Sequence, residues 1–135
     1  MYLLDTVVIS EMRKRQRDPA VVEWLSSQRD ADIFLSVVTI GEIERGITQQ
    51  KIKNPHFADE LAKWLDRVLI LYADRVLPVD IETAKLWGRL SAEQGNHGPD
   101  LLIAATAMVH GLAVVTRNER HFIPVGVNVL NPFSG

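Results

Sequence analysis

The sequence lacks cysteine, has no long apolar run and carries no excess of positive charge. Without cysteine, disulfide bonds and thiolate metal sites are excluded. No apolar stretch approaches the roughly 20 residues that a membrane-spanning helix needs. The N-terminal residues also lack the basic and apolar segments of a secretory signal. We therefore expect a cytoplasmic protein that does not contact a membrane.

The charge balance argues against a simple nucleic-acid binder. The formal net charge is −2, from 15 Lys+Arg and 17 Asp+Glu residues, whereas proteins that bind nucleic acid are usually basic. Any such contact would have to rest on a local basic patch and on bound metal ions. The length of 135 residues predicts one domain over residues 1–135, and a hydrophobic content of 47% is enough for a core.

Short apolar runs of strand type alternate with longer runs of helical period. This alternation predicts an α/β fold whose central, mainly parallel sheet of four to five strands has helices on both faces. Functional residues should then lie beyond the carboxyl ends of the strands. The predicted strands are 2–4, 33–35, 76–79, 112–115 and 127–130, and the predicted helices are 8–14, 19–27, 39–48, a long helix after Pro55, 81–94 and 99–110.

Three acids fall at strand ends or helix starts, and each has a structural alternative. Asp5 directly follows the first strand, where it could serve only as a turn or capping residue. Glu42 lies three residues after Thr39, which is the spacing of a capping box in the first turn of a helix. Asp100 opens an almost wholly apolar helix, whose dipole favours a negative charge there. Individually, none of the three identifies a site.

Together, the acids indicate a metal site at one edge of the sheet. Clustered carboxylates repel one another unless a cation neutralises them. Carboxylate oxygens without cysteine suit Mg²⁺ or Mn²⁺, which can activate a water against a phosphodiester. Thr116 and Asn118 follow the strand over 112–115 and add neutral oxygens to this edge, although they could equally form a turn.

Five segments of the chain form a pattern whose order and spacing are specific. They are LLDTVVIS at 3–10, SVVTIGEIERG at 36–46, DLLIAATA at 100–107, VTRN at 115–118 and VLNPF at 129–133. In these segments, and over essentially its whole length, the chain resembles the PIN-domain toxins of the VapC family, in its FitB-like branch.

The resemblance implies a three-layer PIN fold, Mg²⁺- or Mn²⁺-dependent RNA cleavage, a homodimer and a cognate antitoxin that blocks the site and assembles with the toxin. It carries the metal-binding acids onto Asp5, Glu42 and Asp100. The family commonly has a fourth acid where this chain has Asn118, which offers a carbonyl oxygen but no charge. We therefore expect the catalytic residues Asp5, Glu42, Asp100 and Asn118 to bind one metal ion well and a second one weakly or only with RNA.

Further residues near this edge have weaker assignments. We expect Arg117 to contact RNA, with Thr6 and Thr116 as further substrate contacts. The basic run over 13–17 is typical of a solvated face, and a phosphate-binding patch is the alternative. His97 and His121 flank the acids, where a lone histidine is usually incidental.

Two other functions compete with an endoribonuclease toxin. A Mg²⁺-dependent phosphohydrolase of small molecules would need an acid two residues after a nucleophilic Asp, and Val7 occupies that position here. A catalytically weak PIN-fold module that binds RNA or protein is supported by Asn118 alone.

Overall fold

A computed structural model describes residues 1–96 and 98–134, and its centre is a sheet of five parallel strands. The strand order is β3-β2-β1-β4-β5, which confirms the predicted α/β fold with a parallel sheet. The strands are β1 Tyr2–Leu4, β2 Ile33–Ser36, β3 Val76–Leu77, β4 Ala113–Val115 and β5 Val129–Leu130.

Seven α-helices of the described residues connect and flank the strands. Aspartates cap three of them: Asp5 accepts from the backbone N–H of Thr6, Asp18 from that of Ala20, and Asp80 from that of Thr83. None of the described helices is both long and apolar enough to cross a bilayer. The helices are α1 Thr6–Glu11, α2 Pro19–Ser26, α3 Val37–Lys53, α4 Pro55–Tyr72, α5 Ile81–Gln94, α6 Pro99–His110 and α7 Glu119–Phe122, with 3₁₀ turns at Asp30–Asp32, Ala73–Arg75 and Ile123–Val125.

Side chains alternate across the sheet and divide the core into two layers. Leu4, Leu35 and Val115 pack with residues of α1 to α4 on one face. Leu3 and Val114 pack with α6 on the other face, and α5 covers α6 from outside. The central sheet therefore has helices on both faces, as the sequence pattern predicts.

Some predicted boundaries are wrong, and the start of α3 matters most for function. The helix begins at Val37 because Ser36 caps it by accepting from the N–H of Val38 at 3.0 Å. Thr39 is therefore inside the first turn and Glu42 is in the second, so the two do not form the predicted capping box. The prediction also ended α3 at 48, whereas the helix continues to 53, and it did not include the short helix at 119–122. The first helix covers 6–11 rather than 8–14, and the third and fifth strands are shorter, at 76–77 and 129–130.

The chain order of the strands creates a crevice at the centre of the sheet. From β1 the chain builds β2 and β3 on one side, and then crosses to build β4 and β5 on the other side. The connections from β1 and β4 therefore diverge at the carboxyl edge, which is where open α/β sheets bind ligands. Asp5 directly follows β1 and Thr116 directly follows β4, so both lie at this point.

Candidate active site

Asp5 lies buried at the centre of the carboxyl edge, with only 3% of its surface exposed. Its Oδ1 accepts from the backbone N–H of Thr6 at 2.8 Å, and its Oδ2 accepts from the hydroxyl of Thr116 at 2.8 Å. Burial, with added contributions from the negative charges of Asp100 and Glu42, raises the pKa of Asp5 to about 6, although the two hydrogen bonds oppose the rise. An ionised Asp5 is thus costly unless a cation accompanies it.

Glu42 is connected to Asp5 through Thr6. The hydroxyl of Thr6 donates to Oε1 of Glu42 at 2.6 Å, and it also lies 3.0 Å from the hydroxyl oxygen of Thr39. Thr39 is fully buried under this contact. Sequence analysis missed the part that Thr39 plays, because the contact joins residues 33 positions apart. Thr6 and Thr39 together fix the glutamate on the same edge as Asp5.

Asp100 lies in the first turn of α6, next to the proline that begins the helix. The cap residue is Gly98, which has no side chain to bind the free N–H groups, so α6 presents its positive end to the crevice. Nδ1 of His121 donates to Oδ2 of Asp100 at 2.7 Å. His121 was expected to be incidental, whereas the structure makes it the partner of an acid; His97 lies outside the described residues.

The turn after β4 arranges its polar groups around Thr116. The hydroxyl of Thr116 donates to Asp5 and accepts from the backbone N–H of Asn118 at 2.9 Å. The side chain of Asn118 makes no capping bond to α7, which begins at the next residue. Asn118 therefore keeps its amide oxygen for other ligands.

Arg117 lies against the C-terminal segment. Its guanidinium carbon is 4.6 Å from the ring centroid of Phe133, a cation–π distance. The next residue, Ser134, donates from its backbone N–H and its hydroxyl to the carboxylate of Asp18. The predicted RNA contact of Arg117 stays a prediction, as do the substrate contacts of Thr6 and Thr116, whose hydroxyl groups hold carboxylates in this structure.

A polar groove opens beside the acids. It has a volume of about 460 Å³ and includes Glu42, Asp100, Arg120 and His121 in its lining. A second groove of about 400 Å³ shares Glu42 with it and continues along α3 past Arg45. Glu42 and Asp100 therefore border adjoining surface grooves, with Arg120 in the lining of one groove and Arg45 in the lining of the other.

The arrangement of oxygens suits a metal that uses few protein ligands. Among residues 1–96 and 98–134, no group of three or more His, Cys, Asp or Glu side chains is arranged to hold one ion. Mg²⁺ is often bound through only one or two carboxylates, together with water and substrate phosphates. The negative charge of Asp100 helps to raise the pKa of Asp5, and the amide oxygen of Asn118 is of the same hard type, so the residues fit such an ion.

Comparison with known proteins agrees with this geometry. A family model described as "PIN domain" matches residues 2–126. The chain is 34% identical to the VapC ribonuclease Y4jK of Sinorhizobium fredii over 140 residues, which cover 98% of each protein. It is 35% identical to toxin FitB of Neisseria gonorrhoeae over 139 residues, which cover 98% of this chain and 99% of FitB.

Solved structures show the same fold. The crystal structure of FitAcB from Neisseria gonorrhoeae superposes with a TM-score of 0.86 at 36% identity and covers 98% of both chains. A VapBC2 structure from Rickettsia felis has a TM-score of 0.76 at 19% identity, over 96% of this chain and 97% of that one, which shows the fold alone. The family match spans most of the sequence and both relatives align along nearly their whole length, so the chain belongs to the PIN-domain family and, within it, to the VapC- and FitB-like group.

Proposed function

We propose that the protein is the toxin of a type II toxin–antitoxin system and acts as a Mg²⁺- or Mn²⁺-dependent endoribonuclease. The observation that carries this proposal is the buried Asp5, whose pKa is raised to about 6, mainly by burial and also by the negative charges of Asp100 and Glu42. Ionising such a group in the folded protein costs free energy, and a bound cation would offset that cost. The names of the relatives, a VapC ribonuclease and a FitB toxin, support RNA as the substrate and toxicity as the role.

Each residue of the site has a distinct part in this proposal. Asp5 and Asp100 hold the ion, Glu42 adds charge beside them, and Asn118 contributes its amide oxygen. A bound Mg²⁺ or Mn²⁺ supplies a water of lowered pKa and positive charge for the phosphodiester oxygens. Thr116 keeps Asp5 oriented, and the groove past Glu42 accepts the RNA strand.

Hydrolysis by water can be tested by isotope incorporation. A water nucleophile forms one new P–O bond and breaks one, so a single turnover in H₂¹⁸O should place one ¹⁸O on the product phosphate. It should leave no 2′,3′-cyclic phosphate. Mass spectrometry of the RNA ends measures both. Cyclic ends without ¹⁸O would show that the ribose 2′-hydroxyl attacks and that the proposed reaction is wrong.

The alternative is a catalytically weak PIN-fold module that binds RNA or protein. The observation that favours it is Asn118, which leaves the site one negative charge short of the family's common set. Purified protein that binds RNA tightly in Mn²⁺ but cleaves none of several RNAs would support this alternative.

The Asn118 position should also set the number of tightly bound metal ions. We expect one Mn²⁺ to bind the wild type well, because the acids provide charge for one ion, and a second to bind at least about ten-fold more weakly. In Asn118→Asp the second Mn²⁺ should bind more tightly than it does in the wild type, because the substitution adds a negative charge. The start of α7 should be unaffected, since the side chain of Asn118 makes no capping bond. Isothermal titration calorimetry of the metal-free proteins measures this, and two equally tight sites in the wild type would contradict it.

The proposal also concerns where the protein acts and which proteins it assembles with. We propose a cytoplasmic homodimer that assembles further with its antitoxin, formed from chains that are each a single PIN domain over residues 1–135. An apolar groove of about 520 Å³ between α1, α2 and α4 suits an amphipathic antitoxin helix. It includes Trp64, Val68 and Leu71, and Leu71 is 64% exposed.

Leu71→Asp should therefore weaken the antitoxin complex. We expect at least ten-fold less co-purification with the product of the neighbouring small gene, because the aspartate would be desolvated in the groove. Ile52→Asp is the matched control, since Ile52 is 88% exposed at the end of α3 and is not part of the groove. Equal losses in both variants, or no loss in Leu71→Asp, would show that the antitoxin binds elsewhere.

A further inference from the structure

A cleft outside the acidic site concentrates positive charge. It lies between the segment that follows α1 and the N-terminal half of α4, and its volume is about 430 Å³. We call it the basic cleft. Its five cationic residues are Arg13, Lys14, Arg15, Lys63 and Arg67.

Of the residues that the structure describes, only one acid, Glu60, lines the basic cleft beside its five cationic residues. One third of the 15 Lys+Arg residues of the chain lie here, although the protein as a whole has a net charge of −2. Lys14 and Lys63 are bridged to acids on their own segments at 2.9 and 3.0 Å. In the described part of the chain, Arg15 and Arg67 make no ion pair. Unpaired cations in a concave surface attract a polyanion.

Aromatic rings indicate which polyanion the cleft suits. Phe57 and Trp64 line it between the cations, and the guanidinium carbon of Arg13 lies 5.3 Å from the centroid of the Phe57 ring. Cations interleaved with aromatic rings are the arrangement by which proteins bind single-stranded nucleic acid, since bases stack while phosphates pair. An acidic peptide or a free phosphate would use the charges but has no base to stack on the rings.

We propose that the basic cleft binds single-stranded RNA beyond the cleaved bond. This proposal rests on the proposed ribonuclease function and adds a second contact region to the same substrate. Only α1 and a short turn separate Asp5 from Arg13, which at 1.5 Å per helical residue is on the order of 10 Å. One strand of about ten nucleotides can therefore reach both places.

The proposal is tested by RNA binding without cleavage. All proteins carry Asp5→Asn and are titrated in EDTA with a fluorescein-labelled ten-nucleotide single-stranded RNA. Arg15→Glu/Arg67→Glu should bind at least ten-fold more weakly. It should also reduce the magnitude of the slope of log binding constant against log salt concentration by about 1.4, because two phosphate contacts are lost. Phe57→Ala should weaken binding about five-fold or more with the salt dependence unchanged, since stacking releases no counterions.

The matched control is Lys85→Glu/Arg89→Glu on the exposed face of α5. It makes the same change in net charge away from the basic cleft. Arg15→Gln/Arg67→Gln, which only removes charge, should give an intermediate loss, and circular dichroism should show all variants folded. Equal weakening by the cleft and control variants would overturn the proposal, because bulk charge would explain both.

A different result would show that the basic cleft binds an acidic protein segment and not RNA. If a glutamate decamer binds in a manner that depends on Arg15 and Arg67 while the RNA does not, the cleft receives an acidic peptide and the proposal is wrong. Failure of the proposed function looks different. A protein that binds RNA through the basic cleft but never cleaves it retains this inference and loses the ribonuclease.

Discussion

Asp5→Asn should lower RNA cleavage more than about a hundred-fold while the protein stays folded. Residues that only support a metal ligand typically contribute 10- to 100-fold, and a direct ligand contributes more. The substituted amide oxygen can still accept from the backbone N–H of Thr6, so the start of α1 is kept. The loss should therefore lie in the chemistry and not in the fold.

The same substitution should change the pH dependence of stability with a definite sign. The pKa of Asp5 is about 6 in the folded protein and 3.8 in the reference state. Between these values the folded state holds a proton that the unfolded state has released. The free energy of unfolding of the wild type therefore falls as the pH rises through this window, by about 3 kcal/mol. Asparagine does not titrate, so Asp5→Asn escapes this loss.

Urea unfolding in EDTA at pH 4 to 7.5 measures the difference between the two proteins. The stability of Asp5→Asn relative to the wild type should increase across the range and level off above pH 6. Asp80→Asn is a control whose relative stability should stay nearly flat over this range, because the backbone N–H of Thr83 lowers the pKa of Asp80 from its reference value of 3.8 and its titration therefore lies below the range. If the stability of Asp5→Asn relative to the wild type stays flat or falls with pH, the pKa of Asp5 is not raised in the folded protein.

Asp100→Asn should produce the second large effect, a loss of cleavage of about a hundred-fold together with weaker Mn²⁺ binding. Removing its charge takes away one of the two carboxylates proposed to hold the ion. His121→Ala should cost only about ten-fold, the low end of the range for a supporting residue, because His121 orients Asp100 through the 2.7 Å contact. The pair of variants thus separates a metal ligand from its supporting residue.

Cleavage rates at several Mn²⁺ concentrations distinguish these roles. Asp100→Asn should need more Mn²⁺ for half-maximal rate and stay slow at saturation, whereas excess Mn²⁺ should largely restore His121→Ala. If His121→Ala is as inactive as Asp100→Asn at every concentration, the histidine acts on the substrate directly, and the division of roles is wrong.

Most of the fold follows from local signals. Proline after a capping aspartate starts α2, the left-handed Gly111 ends α6, and short apolar runs define β1 and β4. The predicted sheet was confirmed because β–α alternation leaves few other ways to bury these faces. The start of α3 was wrong because Ser36 and Thr39 are both good caps, and the bond that Ser36 makes decides between them.

The partners of the acids could not be read from the sequence. Thr116 is 111 residues from Asp5, Thr6 is 36 residues from Glu42, and His121 is 21 residues from Asp100. Such pairs form only when strand order brings the edges together. The basic cleft also depends on the tertiary structure. The basic residues after α1 become part of a cleft only because α4 packs beside them and adds Lys63 and Arg67.

The central claim is that Asp5 and Asp100 support metal-dependent hydrolysis of RNA, and one assay tests it most directly. Wild-type protein and Asp5→Asn are incubated with the same structured RNA in Mn²⁺ or in EDTA, and the products are resolved on a sequencing gel. Discrete cleavage by the wild type in Mn²⁺ alone, with none by Asp5→Asn, is the predicted result. Cleavage by the wild type that persists in EDTA, or equal cleavage by both proteins, would contradict the claim.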